Sequence, residues 1–139
     1  MNKCEEFMNL EDLDIDLGKL GKASVLPDFT EYETYLDLNE RILYLDFDIN
    51  DALVDYSRRI IRWNRQDRDI PVEERKPIKL LINSYGGSLD SCLHFIDTLL
   101  LSKTPVYTYN VGVAMSAGFY IMLAGSKRFA YPNAQFLIH

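Results

Sequence analysis

Val106-Tyr107-Thr108-Tyr109, followed by Gly112-Val113-Ala114-Met115-Ser116-Ala117-Gly118-Phe119-Tyr120-Ile121-Met122-Leu123-Ala124, is the stretch on which the fold turns. A β-branched and aromatic run gives way to a glycine and then to an apolar segment of helical length, which predicts a strand, a tight turn and a buried helix. Such a turn lifts a hydroxyl to the edge of a sheet. It also aims free backbone N–H groups and the positive end of a helix dipole at whatever that hydroxyl attacks. A serine hydroxyl is a weak nucleophile alone, so acyl transfer at Ser116 also requires a neutral imidazole to take its proton. The 139 residues offer two, His94 and His139.

Working upstream, Ile78-Lys79-Leu80-Leu81-Ile82 is a short, almost continuously apolar run, as expected of a strand covered on both faces. Asn83-Ser84-Tyr85-Gly86-Gly87-Ser88 turns the chain into a helix with Leu89, Cys92, Leu93, Ile96, Leu99 and Leu100 at helical spacing, ended before Pro105. Arg41 to Phe47 reads as another strand. Asn50 or Asp51 caps the helix after it, with Leu53, Tyr56, Ile60 and Ile61 near one face. The charged stretch from Asn64 to Pro77, broken by Pro71, reads as a surface loop, and Tyr32, Tyr35, Leu36 and Leu38 as a short helix. Strands alternating with helices indicate an α/β fold with parallel strands, whose strand-to-helix turns share one edge, where ligands bind.

The Gly86-Gly87 pair carries two readings. Glycines between strand and helix are explained by a tight turn alone. Glycine also lets the backbone approach a ligand and point an N–H at a developing oxyanion, worth about 3 kcal/mol in good geometry.

Composition limits the setting. The net charge of -6 is unevenly spread: residues 1–40 carry 11 acidic and 3 basic side chains, a balance of -8, whereas the remainder carry 10 and 12, a balance of +2. No basic groove with interleaved aromatics is visible, which argues against nucleic-acid binding. No apolar run approaches the roughly 20 residues of a membrane span, and the acidic start lacks the pattern of a secretory signal, so a soluble cytoplasmic chain is expected. Cys4 and Cys92 share no ligand-like spacing with the histidines, so neither a disulfide framework nor a zinc site is expected, and Cys92 is expected in a core. Residues 1–27 read as a flexible acidic leader and 28–139 as the folded domain.

At this point the residues resemble a family, the proteolytic subunit of the caseinolytic (Clp) protease, a self-compartmentalised serine peptidase. The likeness runs from about Tyr32 to His139. It rests on Asn83-Ser84-Tyr85-Gly86-Gly87-Ser88, Ile96-Asp97-Thr98, Gly112-x-Ala114-x-Ser116-Ala117-Gly118, and Arg128 to Asn133 leading into Leu137-Ile138-His139. Several ordered motifs at compatible spacing are far more specific than a lone serine turn. The resemblance implies a ClpP/crotonase-type spiral of strand-strand-helix (ββα) units with a mainly parallel sheet. It implies Ser116 as nucleophile, His139 as general base and later acid, and the N–H groups of Gly87 and Ala117 as the oxyanion hole. His94 matches no catalytic position and is expected to be structural or exposed. The implied activity is hydrolysis of peptide bonds in unfolded proteins, without a cofactor, inside stacked homo-oligomeric rings fed by an AAA+ ATP-dependent unfoldase.

The sequence departs from the family pattern in several places. Tyr85 stands where the family usually has proline, and Met115 and Phe119 replace small residues beside the nucleophile. The sequence reads as C-terminally truncated, because the family motif continues past the histidine towards an aspartate that orients it. Neutralising that aspartate in the template serine protease lowers turnover about ten-thousand-fold. Two further readings therefore stand beside a working peptidase: an inactive, structural ring subunit, and a crotonase-type acyl-CoA hydratase or isomerase, which shares a glycine-built oxyanion hole but needs no serine and histidine.

Overall fold

A computed structural model describes residues 28–139. The expected acidic leader, with Cys4, lies outside the described residues. Among the described residues, Thr34–His139 form one compact unit. Helix α1 (Phe29–Asn39) opens on a reciprocal cap, in which the Glu31 N–H donates to Asp28 Oδ1 at 2.8 Å and the Asp28 N–H to Glu31 Oε2 at 3.3 Å.

Strands β1 (Ile42–Leu45), β2 (Ile78–Ser84), β3 (Val106–Met115) and β4 (Lys127–Ala130) lie side by side in chain order, and β5 (Gln135–Leu137) pairs with the far half of β3. Every pairing is parallel. Helices α2 (Leu53–Gln66), α3 (Leu89–Leu101) and α4 (Ala117–Leu123) make the crossovers, α2 packing on α3 and α3 on α4. Consecutive right-handed crossovers in a sheet of sequential order put all helices on one face. The strands accordingly alternate: Ile78, Leu80 and Ile82 are fully buried, whereas Lys79 and Leu81 are only half covered. The expectation that β2 is covered on both faces is thus corrected. On the helix-free face Tyr109 stacks on Phe129 at 4.7 Å between ring centroids.

The helices bury only part of the faces that the spacing predicts. In α2 the buried positions are Leu53, Ser57, Ile60 and Trp63, and Ile61 is half exposed. In α3 they are Cys92, Phe95 and Leu99, leaving Leu89, Leu93 and Leu100 exposed beside Tyr120 and Leu123 of α4. A helix with apolar residues on two adjoining stripes gives periodicity no way to choose between them, and the bulk of Trp63 and Phe95 decides the packing. Ile60 and Tyr56 both point inward, Tyr56 lying edge-on to Phe47 and Phe95, so that part of α2 belongs to the core.

The segment from Asn64 to Pro77 is likewise more than a surface loop. The helix continues to Gln66, a single 3-10 turn covers Val72–Glu74, and Asp67 and Arg75 are buried. Asp67 accepts both Nη1 and Nη2 of Arg41, at 2.6 and 2.7 Å, together with the Thr104 hydroxyl at 2.9 Å. That bidentate pair, lying beneath the entry to β1, holds the Asp67 carboxyl below its ordinary range.

Candidate active site

Ser116 sits between β3 and α4 with φ 51° and ψ -123°. An L-residue with positive φ in this region costs about 1–3 kcal/mol and persists only where its surroundings impose it. Here they do. The Ser116 N–H donates to the Leu137 carbonyl at 2.8 Å, and its carbonyl accepts the N–H groups of Phe119 and Tyr120 at 3.0 and 3.2 Å. The hydroxyl makes no capping bond to the helix it opens, so its oxygen is left for other work.

Gly86 lies directly against the serine. Its φ is 109°, and a Cβ at this position would sit 2.8 Å from Ser116 Cβ and 2.9 Å from the Met115 carbonyl oxygen, so a side chain at 86 would displace the nucleophile. Gly87, at φ 148°, forms a parallel bridge with Ile49, and a Cβ there would run into the Ile49 backbone. The bridge uses the Gly86 carbonyl, which accepts the Ile49 N–H, and the Ser88 N–H, which donates to the Ile49 carbonyl, both at 2.8 Å. The Gly87 N–H is therefore turned away from Ile49. Ser84 fixes the turn from below, its hydroxyl donating to the Phe47 carbonyl at 2.7 Å and accepting the Gly86 N–H at 3.2 Å. Ala117 opens α4, and first-turn N–H groups have no acceptor within their own helix.

The structure brings three of the four expected site residues, Gly87, Ser116 and Ala117, to one sheet edge, and the fourth, His139, follows β5, which pairs with β3 beside Ser116. Met115 pairs with Leu137, and Phe119 meets Phe136 edge to face at 6.0 Å. His139 follows Leu137 by two positions and is exposed. His94 is exposed on α3, and its backbone carbonyl accepts the Thr98 hydroxyl. Cys92 is buried below α4, donating to the Ala117 carbonyl at 3.4 Å; burial pushes its thiol up, which makes it a core group rather than a second nucleophile. Among the described residues no group of three His, Cys, Asp or Glu side chains is arranged to hold a metal ion.

Two residues of this edge escape the sequence reading. Between Ile82↔Asn110 and Ser84↔Ala114 the β2–β3 register slips, so that Asn83 alone faces Val111, Gly112 and Val113. The bulge is closed by two asparagines: Asn110 Oδ1 accepts the Gly112 N–H at 3.1 Å and Asn83 Oδ1 accepts the Val113 N–H at 3.2 Å. An asparagine two residues before a glycine inside a strand is the available signal, and it points to a bulge only once the register is known.

A parallel α/β sheet with a strained serine at a strand-to-helix turn, a glycine pair pressed against it and a strand beside it that leads to a histidine matches the arrangement that serine-based acyl transfer requires. The comparisons then narrow the class. Residues 31–139 match the family model of Clp protease, and the chain belongs to that family. It is 35% identical over 117 residues to the ATP-dependent Clp protease proteolytic subunit 2 of Prochlorococcus marinus (strain MIT 9312), a match covering 79% of this chain and 55% of that protein. It is 34% identical over 105 residues to the proteolytic subunit 1 of Mycobacterium bovis (strain ATCC BAA-935 / AF2122/97), covering 73% and 50%. Among solved structures, a point mutant of ClpP1 from Listeria monocytogenes superimposes with a TM-score of 0.64 at 26% identity, covering 75% of this chain and 58% of that one. The fold is accordingly the ClpP/crotonase type with a mainly parallel sheet. The chain spans about half the length of the curated relatives it matches.

Proposed function

We propose that this chain is a serine-type endopeptidase subunit acting on unfolded proteins or peptides. The observation that carries the reading is the strained Ser116, held at φ 51° with its hydroxyl uncommitted, against Gly86 and beside the strand that leads to His139. In this reading His139 takes the proton as Ser116 Oγ attacks the scissile carbonyl. The Gly87 and Ala117 N–H groups bind the oxyanion, His139 then protonates the leaving amine, and water releases the acyl-enzyme. None of these steps calls for a cofactor. The relatives' names, proteolytic subunits of an ATP-dependent protease, support a role as one subunit of such an assembly, which in this reading is cytoplasmic and fed by an ATP-dependent unfoldase, and the exposed Leu89, Leu93, Leu100, Tyr120 and Leu123 form an apolar surface of the kind that subunit packing covers. No helix among the described residues is long and apolar enough to cross a membrane.

The test is labelling by a fluorophosphonate probe, with intact mass locating the adduct. We expect one adduct on Ser116, absent in Ser116→Ala and slowed on the order of 10³-fold or more in His139→Ala. A structural, non-catalytic subunit is the second reading, favoured by one observation: among the described residues no carboxylate pairs with the His139 imidazole. No adduct on Ser116 would establish that reading and end the first.

A further inference from the structure

Strand β5 is three residues long and exposed, Phe136 and Leu137 by about half, and His139 follows its last residue by two positions. A strand this short makes few ladder bonds and gains little from burial, so it frays unless something pins it. Three contacts do so. The Ser116 N–H donates to the Leu137 carbonyl at 2.8 Å, Phe119 meets Phe136 edge to face, and Asn110 Nδ2 donates to the Gln135 carbonyl at 2.9 Å. Only the third comes from a completely buried side chain, with Asn110 at 0% exposure.

The placement of Asn110 follows from the bulge. Below it, β3 pairs with β4 through Tyr107 to Asn110; above it, β3 pairs with β5 through Val113 to Met115. Between those two pairings β3 slips its register against β2 on its other edge, and the N–H groups of Gly112 and Val113 fall outside the β2 ladder. Asn110 Oδ1 takes the first and Asn83 Oδ1 the second. With its oxygen committed to the bulge, the Asn110 amide plane is fixed and its NH₂ is aimed at the start of β5. One side chain thus couples the bend that presents Ser116 to the strand that presents His139.

We propose that Asn110 is a positioning residue for His139, setting the approach of the imidazole to Ser116 through β5. The proposal rests on the reading of Ser116 and His139 as a working pair, and its test separates the two. The rate of fluorophosphonate labelling is measured against pH for the 139-residue chain and for Asn110→Ala, His139→Ala and Thr104→Val, the last at the opposite edge of the sheet. Amide hydrogen exchange is followed in parallel at Ser116 and along Ile78 to Ile82.

Asn110→Ala should label on the order of 10²-fold more slowly. It should lose the rise with pH that a neutral imidazole base imposes, so that its profile resembles that of His139→Ala. It should also lose protection of the Ser116 amide while β2 stays protected. Thr104→Val should keep both rate and profile. Wild-type rate and profile in Asn110→Ala would overturn the proposal, as would a fall no larger than its loss of folded protein. If Asn110→Ala does not fold, the unmodified chain decides: a Ser116 amide that exchanges like an unprotected one shows that β5 is not held, and the idea fails. Failure of the unmodified chain to label strikes the serine-nucleophile reading instead, and the exchange data still decide whether Asn110 holds the strand.

Discussion

Two non-glycine residues among those described have positive φ, Arg41 at 58° and Ser116 at 51°, and they lie at opposite edges of one parallel sheet. Arg41 precedes β1. Its strain is answered by its own side chain, which forks onto the buried Asp67, donates to the Lys76 carbonyl and lies over the Trp63 ring. Ser116 follows β3, and its strain is answered by its neighbours alone: the Leu137 carbonyl, the first turn of α4 and the absence of a side chain at Gly86. At one edge the strained residue's side chain makes the stabilising bonds, and at the other only its backbone does. The difference separates a structural outlier from a functional one more sharply than φ does, because only at Ser116 does the strained residue's side chain remain uncommitted.

Replacing each residue by glycine, which adopts positive φ without strain, breaks the comparison open. For Ser116→Gly we expect reaction with the probe and with peptides to fall on the order of 10⁴-fold or more, while stability rises by about 1 kcal/mol as the strain is relieved. Urea denaturation of the two chains checks the second half. A loss of stability would mean that the serine hydroxyl is part of the structure after all, and that the two outliers are alike.

Arg41→Gly should move stability the other way. The same relief of strain is outweighed by a buried carboxylate left with Thr104 and the more distant Arg75, and breaking such a pair costs about 3–5 kcal/mol. We expect a net loss of about 3 kcal/mol in urea denaturation, with the folded fraction still labelling at Ser116. A change below about 1 kcal/mol would show that the Asp67 cluster is solvated and contributes little.

The same contrast marks what the sequence could and could not disclose. The strand-helix alternation, the serine turn and the glycine pair are local patterns, each written in adjacent residues, and they appear where the sequence places them. Asp67 sits in a run of charges that reads as a loop, and only the fold brings Arg41, 26 positions away, onto its carboxylate. Asn110 lies inside a strand with only Gly112 nearby to mark it, and its partner Gln135 is 25 positions on. The two-stripe helix α3 shows the limit of periodicity: Leu93 and Cys92 are equally apolar by pattern, and only tertiary packing, with Phe95 on the same stripe, decides that Cys92 goes in. Sequence thus declares what a turn can do chemically, while the long-range polar bonds that hold the turn in place become visible only with the register.

The smallest effect expected is also the one that tests the paired edge on its own terms. The Arg41 hydrogen bonds, more than the desolvation that opposes them, keep the Asp67 carboxyl below its ordinary value in the folded chain. A group whose folded pKa is depressed binds its proton more weakly folded than unfolded. Its contribution is therefore fully present above the unfolded aspartate value of about 3.9 and is lost as pH falls through the lower folded value. Stability measured by urea denaturation should hold above about pH 5 and decline on further acidification. In Asp67→Asn the part of that decline due to this group should vanish, from a lower starting level because Arg41 is then buried without its anion. Ser116, with no titrating partner in its backbone clamp, should leave that acid profile unchanged when replaced by glycine. An acid profile that is identical in the Asp67→Asn chain would place the pH dependence elsewhere and remove the ion pair from the account of how this edge is held.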